Sequence, residues 1–214
     1  MKVRHGALGA SLVSSLVVLH AFTAMAAMEW SSGRRYEEAG GFTVYERQDD
    51  DSGLSRFRLE AERPEATSRV VAALMRMQTD DRFLAENQER IVLSDDPDGR
   101  LVLMRVDLPL VKDREVALRT RENFGADGSY RFSWRVAEDA PPPTSEYARV
   151  DGAEGFWLLT PVTSGGTQVV YESFYDPGGS LPSWLINRIV RGQVAEEYLT
   201  LHRLVRGPHH EDAS

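Results

Sequence analysis

The residues equipped for chemistry fall into three groups. Tyr171, Glu172 and Tyr175 share one alternating stretch, and a carboxylate beside two phenols is enough for acid–base work. Two dispositions are open for them. Either Glu172 turns inward as an acid, or it stands in solvent while Tyr171 packs. Arg105, Arg114, Arg119 and Arg121 stand on strand-like stretches. One of these turned inward would meet the polar head of a ligand, because a buried guanidinium needs partners. Turned outward, they would pair with Asp107, Glu115 or Glu122. The third group, the five histidines, is scattered: His5 and His20 lie in the N-terminal apolar segment, His209 and His210 in the tail, and His202 on the polar side of a helix. No histidine-based site is expected. The chain has no cysteine, which excludes disulfides, zinc–thiolate centres and thiol nucleophiles. It carries neither a GxSxG turn nor a Gly-rich phosphate loop, so no catalytic residue, metal or cofactor is expected.

The elements that must position these groups are organised around a C-terminal helix, expected over residues 180–206. Ser180 is the candidate N-cap, Pro182 fits the first turn, and Gly207-Pro208 stops the far end. Ile186, Val190, Val194, Leu201 and Val205 form a stripe for one buried face. Leu181, Trp184, Leu185 and Ile189 fall off that stripe, so the first turns are apolar nearly all round. Ahead of this helix the spacing predicts strands over residues 42–47, 54–62, 91–93, 101–108, 115–124, 130–136, 147–150, 155–159 and 169–175. The middle strands, 147–150 and 155–159, read as a pair about Asp151-Gly152. Helices are expected at 28–38 around Trp30 and after Pro64, where Ala66, Val70, Leu74 and Met77 keep the helical period, with a short turn from Asp80-Asp81. Such an order is α+β, an antiparallel sheet with the last helix as its cover.

Residues 1–26 read as a signal peptide: Lys2 and Arg4 precede a short apolar run, and Ala24-Met25-Ala26 fits a small-x-small cleavage site. The alternative is an uncleaved anchor. Export would leave one domain over residues 27–206 and a disordered tail over 207–214, in the periplasm or secreted. The formal charge is −8, and removing Lys2 and Arg4 takes it to −10. An acidic chain of this kind excludes nucleic-acid binding as an expected role.

Several ordered segments carry a family resemblance. They are Trp30 with Gly41-Phe-Thr-Val-Tyr45, Leu108-Pro-Leu-Val-Lys-Asp-Arg114, Pro143 through Arg149, Trp157-Leu-Leu-Thr-Pro161, and Tyr171 with Asp176-Pro-Gly-Gly-Ser-Leu-Pro-Ser-Trp-Leu-Ile-Asn187. Together they resemble the StAR-related lipid-transfer (START) domains, in the helix-grip superfamily of Bet v 1-like plant allergens and polyketide cyclases, here as an exported bacterial member. The resemblance implies a curved antiparallel sheet wrapped around the long C-terminal helix, with an internal apolar cavity and a proline-bearing lid. Arg105 stands where lipid carriers often keep an acid, so of that acid–Arg pair Arg114 alone carries over.

The function implied is binding, and transfer between membranes, of a lipid or other hydrophobic small molecule by a monomer in transient membrane contact. The expected pocket residues are Arg114, Trp134, Trp157, Tyr171, Ile186 and Val190. The expected lid and membrane rim are Leu108, Pro109, Leu110, Leu181, Trp184 and Leu185. The rival readings are a cyclase- or aromatase-like enzyme using the same cavity and an envelope interaction module without a ligand.

Overall fold

The computed structural model describes residues 30–107 and 112–207. Ten strands form one sheet: β1 (Arg34–Tyr36), β2 (Phe42–Gln48), β3 (Ser55–Arg63), β4 (Gln88–Asp96), β5 (Gly99–Val106), β6 (Asp113–Phe124), β7 (Tyr130–Val136), β8 (Tyr147–Arg149), β9 (Gly152–Pro161) and β10 (Thr167–Asp176). Helix α1 (Thr67–Thr79) follows β3, and α2 (Ser183–Arg206) follows β10. The sheet order is β1-β2-β3-β10-β9-β7-β6-β5-β4. The first three strands therefore join the last strand inside the sheet, where β3 pairs with β10. The helix-grip architecture and the α+β class read from the sequence are both present.

Period-two alternation sorts the side chains. Along β3, Ser55, Phe57, Leu59, Ala61 and Arg63 are buried while Arg56, Arg58 and Glu60 are only half-buried. The inward residues join Val169 and Tyr171 of β10, Trp157 and Leu159 of β9, and Ile186, Val190, Val194, Tyr198, Leu201 and Val205 of α2 in the main core. All five stripe residues expected on the last helix are buried. Each fully buried aliphatic side chain contributes about 1.5–3 kcal/mol. Helix α2 rests on β3 and β10, and α1 packs on α2 and β9.

Four expectations are corrected. In place of a helix over 28–38, the described part holds β1 and a 3-10 turn at Glu38–Gly40. Gly33, Gly40 and Gly41 take positive φ, which interrupts a helix, and Tyr36 instead stacks on Phe42 at 4.7 Å. Helix α2 begins at Ser183 and not Ser180, with no side-chain cap. Leu181 precedes Pro182, and a residue before proline is driven out of helical backbone. The stretch expected over 91–93 is the middle of a nine-residue strand bulged between Val92 and Ser94. Strand β8 does not form a hairpin with β9 but pairs in parallel with β6, beneath the Pro141–Pro143 loop. Leu101, Leu103, Ala117 and Ala137 form a small apolar cluster on the convex face, with Ile91 and Ala140 packed against it.

Candidate functional site

A row of register neighbours crosses the concave face: Phe132 (β7), Trp157 (β9), Tyr171 (β10) and Leu59 (β3). Trp157 and Tyr171 stack with centroids 4.1 Å apart and planes 14° apart. Trp134 lies 5.8 Å from Tyr171 and 6.0 Å from Phe132. It reaches across the sheet because its register neighbour is Gly155: a Cβ there would come within 2.4 Å of Trp134 Cζ2. Ile186 and Val190 belong to the same cluster, so five of the six expected pocket residues converge.

Arg114, the sixth, is placed elsewhere. It is 7% exposed and lies at the lid end, where its Nε donates to the Pro177 carbonyl at 3.0 Å and its Nη1 to the Lys112 carbonyl. It joins the start of β6 to the β10–α2 loop and has no carboxylate partner among the described residues. Tyr175 is close to it: burial pushes that phenol up to about 12, and the Arg114 charge opposes the rise. The other arginines face outward. Arg105 is held by Glu115 and Glu89, each at 3.1 Å, and Arg119 by Asp96 and Asp139. Arg121 donates to the Asp98 carbonyl. A convex groove of about 350 Å³ runs past Arg121, Arg131 and Arg135 on this outer side.

Glu172 faces the same outer side and pairs with Arg56 at 3.5 Å. Of the two dispositions open to it, the outward one is realised, with Tyr171 packed beneath α2. His202, expected on a polar face, is half-buried and touches Arg63, a 4% exposed cation that also donates to Glu65 at 2.8 and 3.0 Å. Burial, then the Arg63 charge, lowers the His202 value.

The concave face carries two clusters of buried side chains, with half-buried Tyr175 packed against both. The main cluster ends at half-buried Trp134 and Tyr175, and a second cluster of Val116, Val150 and Ala153 lies toward the lid end with half-buried Met104, Leu118 and Val136. One residue on the sheet-facing side of α2 was missed by the sequence reading. Glu197 of α2 occupies the helical position of Val190, two turns on, among Val194, Tyr198 and Leu201, which are at most 1% exposed. Its signal is the break in the stripe between Val194 and Leu201, where an apolar residue was due. Glu197 keeps open surface of its own, yet burial alone pushes its carboxyl up to about 7. Its charge adds to the burial that raises the Tyr171 phenol on the facing strand.

At the start of α2, Trp184 is 65% and Ile189 51% exposed, while Leu181 and Leu185 are half-buried. Leu108, Pro109 and Leu110, the expected lid, lie outside the described residues, as do residues 1–26 and His209 and His210.

The family model for the START domain matches residues 24–206. The chain belongs to the START domain family. Within that family it is similar to the phosphatidylcholine transfer protein of Rattus norvegicus, 26% identical over 160 residues, covering 70% of this chain and 72% of that one. It is 33% identical over 87 residues to an uncharacterized protein of Pseudomonas aeruginosa, covering 40% of this chain and 43% of that protein, less than half its length. Among solved structures, a STAR-related lipid transfer protein fragment from Xanthomonas axonopodis aligns with TM-score 0.67 at 24% identity, covering 82% of this START chain and 99% of that one. Human STARD10 aligns with TM-score 0.66 at 14% identity, covering 81% and 73%. These likenesses establish the START fold.

Proposed function

We propose that this START domain binds a lipid or similar hydrophobic small molecule between α2 and the concave face, and carries it between membranes. The observation that carries this reading is the divided concave face: two apolar clusters with half-buried Trp134, Met104, Leu118 and Val136 left at their facing margins. A pocket for an acyl chain is an apolar recess with few polar groups, which is the composition found there. The membership of the START family supports the same reading, as does the name of the rat relative.

The catalytic rival calls for an inward-facing acid, and Glu172 lies on the far side of the sheet, paired with Arg56. The proposal extends to access: exposed Trp184 with Leu181 and Leu185 forms an apolar rim that touches the lipid interface while ligand passes. It extends also to place, with residues 1–26 directing the protein out of the cytoplasm as a monomer.

The test is transfer of a fluorescent phospholipid between donor and acceptor vesicles. Transfer accelerated in proportion to protein concentration is the expected result. A rate equal to the protein-free rate for phospholipid, sterol and fatty-acid probes alike would overturn the reading.

A further inference from the structure

A carboxyl group in the middle of an apolar helix face is costly unless something meets it. Glu197 has that position, at the heptad equivalent of Val190, over the aromatic row of Trp157 and Tyr171. No described residue gives it an ion pair or a hydrogen bond. Elsewhere in this molecule buried charge is answered: Glu115 receives Arg105 and Arg149, and Arg63 receives Glu65. The Glu197 charge acts on the Tyr171 phenol, itself deeply buried on the facing strand β10. Nothing in the packing of α2 requires a carboxyl there; Leu would fill the position.

We infer that Glu197 receives the polar end of the bound molecule, and that this end is a hydrogen-bond donor, a hydroxyl or an ammonium, and not an anion. The inference rests on the hydrophobic-binding reading above and specifies the ligand for that pocket. A carboxyl accepts from either donor, and the π faces of Trp134, Trp157 and Tyr171 favour a cation beside it. A carboxylate or phosphate would repel the ionised Glu197 and could be held only once that carboxyl takes up a proton, whereas a hydroxyl or ammonium is met by the ionised form directly. The headgroup would therefore sit under the middle of α2, with the tail toward the lid-end cluster of Val116 and Val150.

The experiment measures binding of dodecanol, dodecylamine, methyl laurate and laurate to the full chain by tryptophan fluorescence, for wild type, Glu197→Gln and Glu197→Leu. The wild type should hold the alcohol and the amine more tightly than laurate by roughly tenfold or more, the size of a hydrogen bond to a charged group. Glu197→Leu should remove that preference, leave methyl laurate unchanged or improved, and raise the melting temperature. Equal affinities for all four probes, or a preference unchanged by Glu197→Leu, would overturn this inference alone. Binding of none of them would overturn the hydrophobic-binding reading and this inference with it. A second measurement uses the absence of native cysteine. Glu197→Cys should react with a charged maleimide much more slowly than Glu196→Cys. Equal rates would show position 197 to be on the outer surface and would overturn the inference.

Discussion

The backbone N–H of Ser55 donates to Asn187 Oδ1 at 2.9 Å across a sequence separation of 132 residues. The same amide returns a bond through Nδ2 to the Gly53 carbonyl at 3.0 Å. One side chain on α2 thus completes the backbone of the β2–β3 turn and sets where the helix lies against the sheet. Asn187→Leu keeps the volume and leaves the buried Ser55 N–H unpaired. It should cost about 1–3 kcal/mol, read as a lower urea midpoint with an unchanged slope. An unchanged midpoint would show that the bond does not hold the helix.

Gly155 makes the second prediction. A methyl group there would meet Trp134 Cζ2 at 2.4 Å and the Glu172 carbonyl oxygen at 2.3 Å. Gly155→Ala should therefore displace the Trp134 ring from Tyr171 and cost about 1–3 kcal/mol through overpacking. Near-ultraviolet circular dichroism from the coupled aromatics should fall with it. A variant with wild-type stability and spectrum would contradict the packing described.

Most of the fold was legible because its signals are local. Alternation marked β2, β3, β7 and β10, and the Ile186–Val205 stripe marked the buried face of α2. The parallel pairing of β8 with β6 was not, since strand partners are chosen by tertiary packing and both neighbours of Asp151-Gly152 look alike as strands. The aromatic members of the pocket were legible as inward positions of adjacent strands. For Arg114 the sequence left inward and solvent-facing positions both open, and its backbone acceptors at Lys112 and Pro177 depend on a loop contact with no local signature. Glu197 was overlooked because a glutamate beside Glu196 on a helix reads as a solvated face. Only the missing apolar residue in the stripe marks it.

Acid should weaken the Arg63–Glu65–His202 cluster in two stages. The His202 value is lowered from 6.5 by burial and then by Arg63, so the unfolded chain takes up the proton first. Its contribution is complete above 6.5 and is lost as pH falls from there to the folded value. Glu65, lowered from 4.5, adds a second loss at lower pH, where hydrogen bonding and charge from Arg63 outweigh its burial. Glu197 acts oppositely, since a carboxyl raised to about 7 loses stability as pH rises from 4.5. Subtracting the melting curve of His202→Gln from that of wild type isolates the histidine. The difference should shrink as pH falls below about 6.5; a difference independent of pH would contradict the burial of His202.

The apolar rim predicts hydrophobic and not electrostatic docking. Trp184→Ser combined with Leu181→Ser should reduce binding to neutral phosphatidylcholine vesicles several-fold, and Trp184→Ser alone, at a 65% exposed site, should weaken binding while leaving the melting temperature close to that of wild type. With a formal charge of −8 on the chain, wild-type binding should change little between low and moderate salt. Binding that disappears in moderate salt, or that survives the double substitution unchanged, would contradict the rim.

The central claim is that the space between α2 and the concave sheet holds a hydrophobic molecule. Native protein purified without detergent, extracted with organic solvent and measured by mass spectrometry, tests this most directly. The account predicts a lipid-class molecule near one per chain, enriched in hydroxyl- or amine-ended species and diminished in Glu197→Leu. Protein that carries nothing after extraction, and that takes up no lipid when incubated with membranes of the source cell, would contradict it.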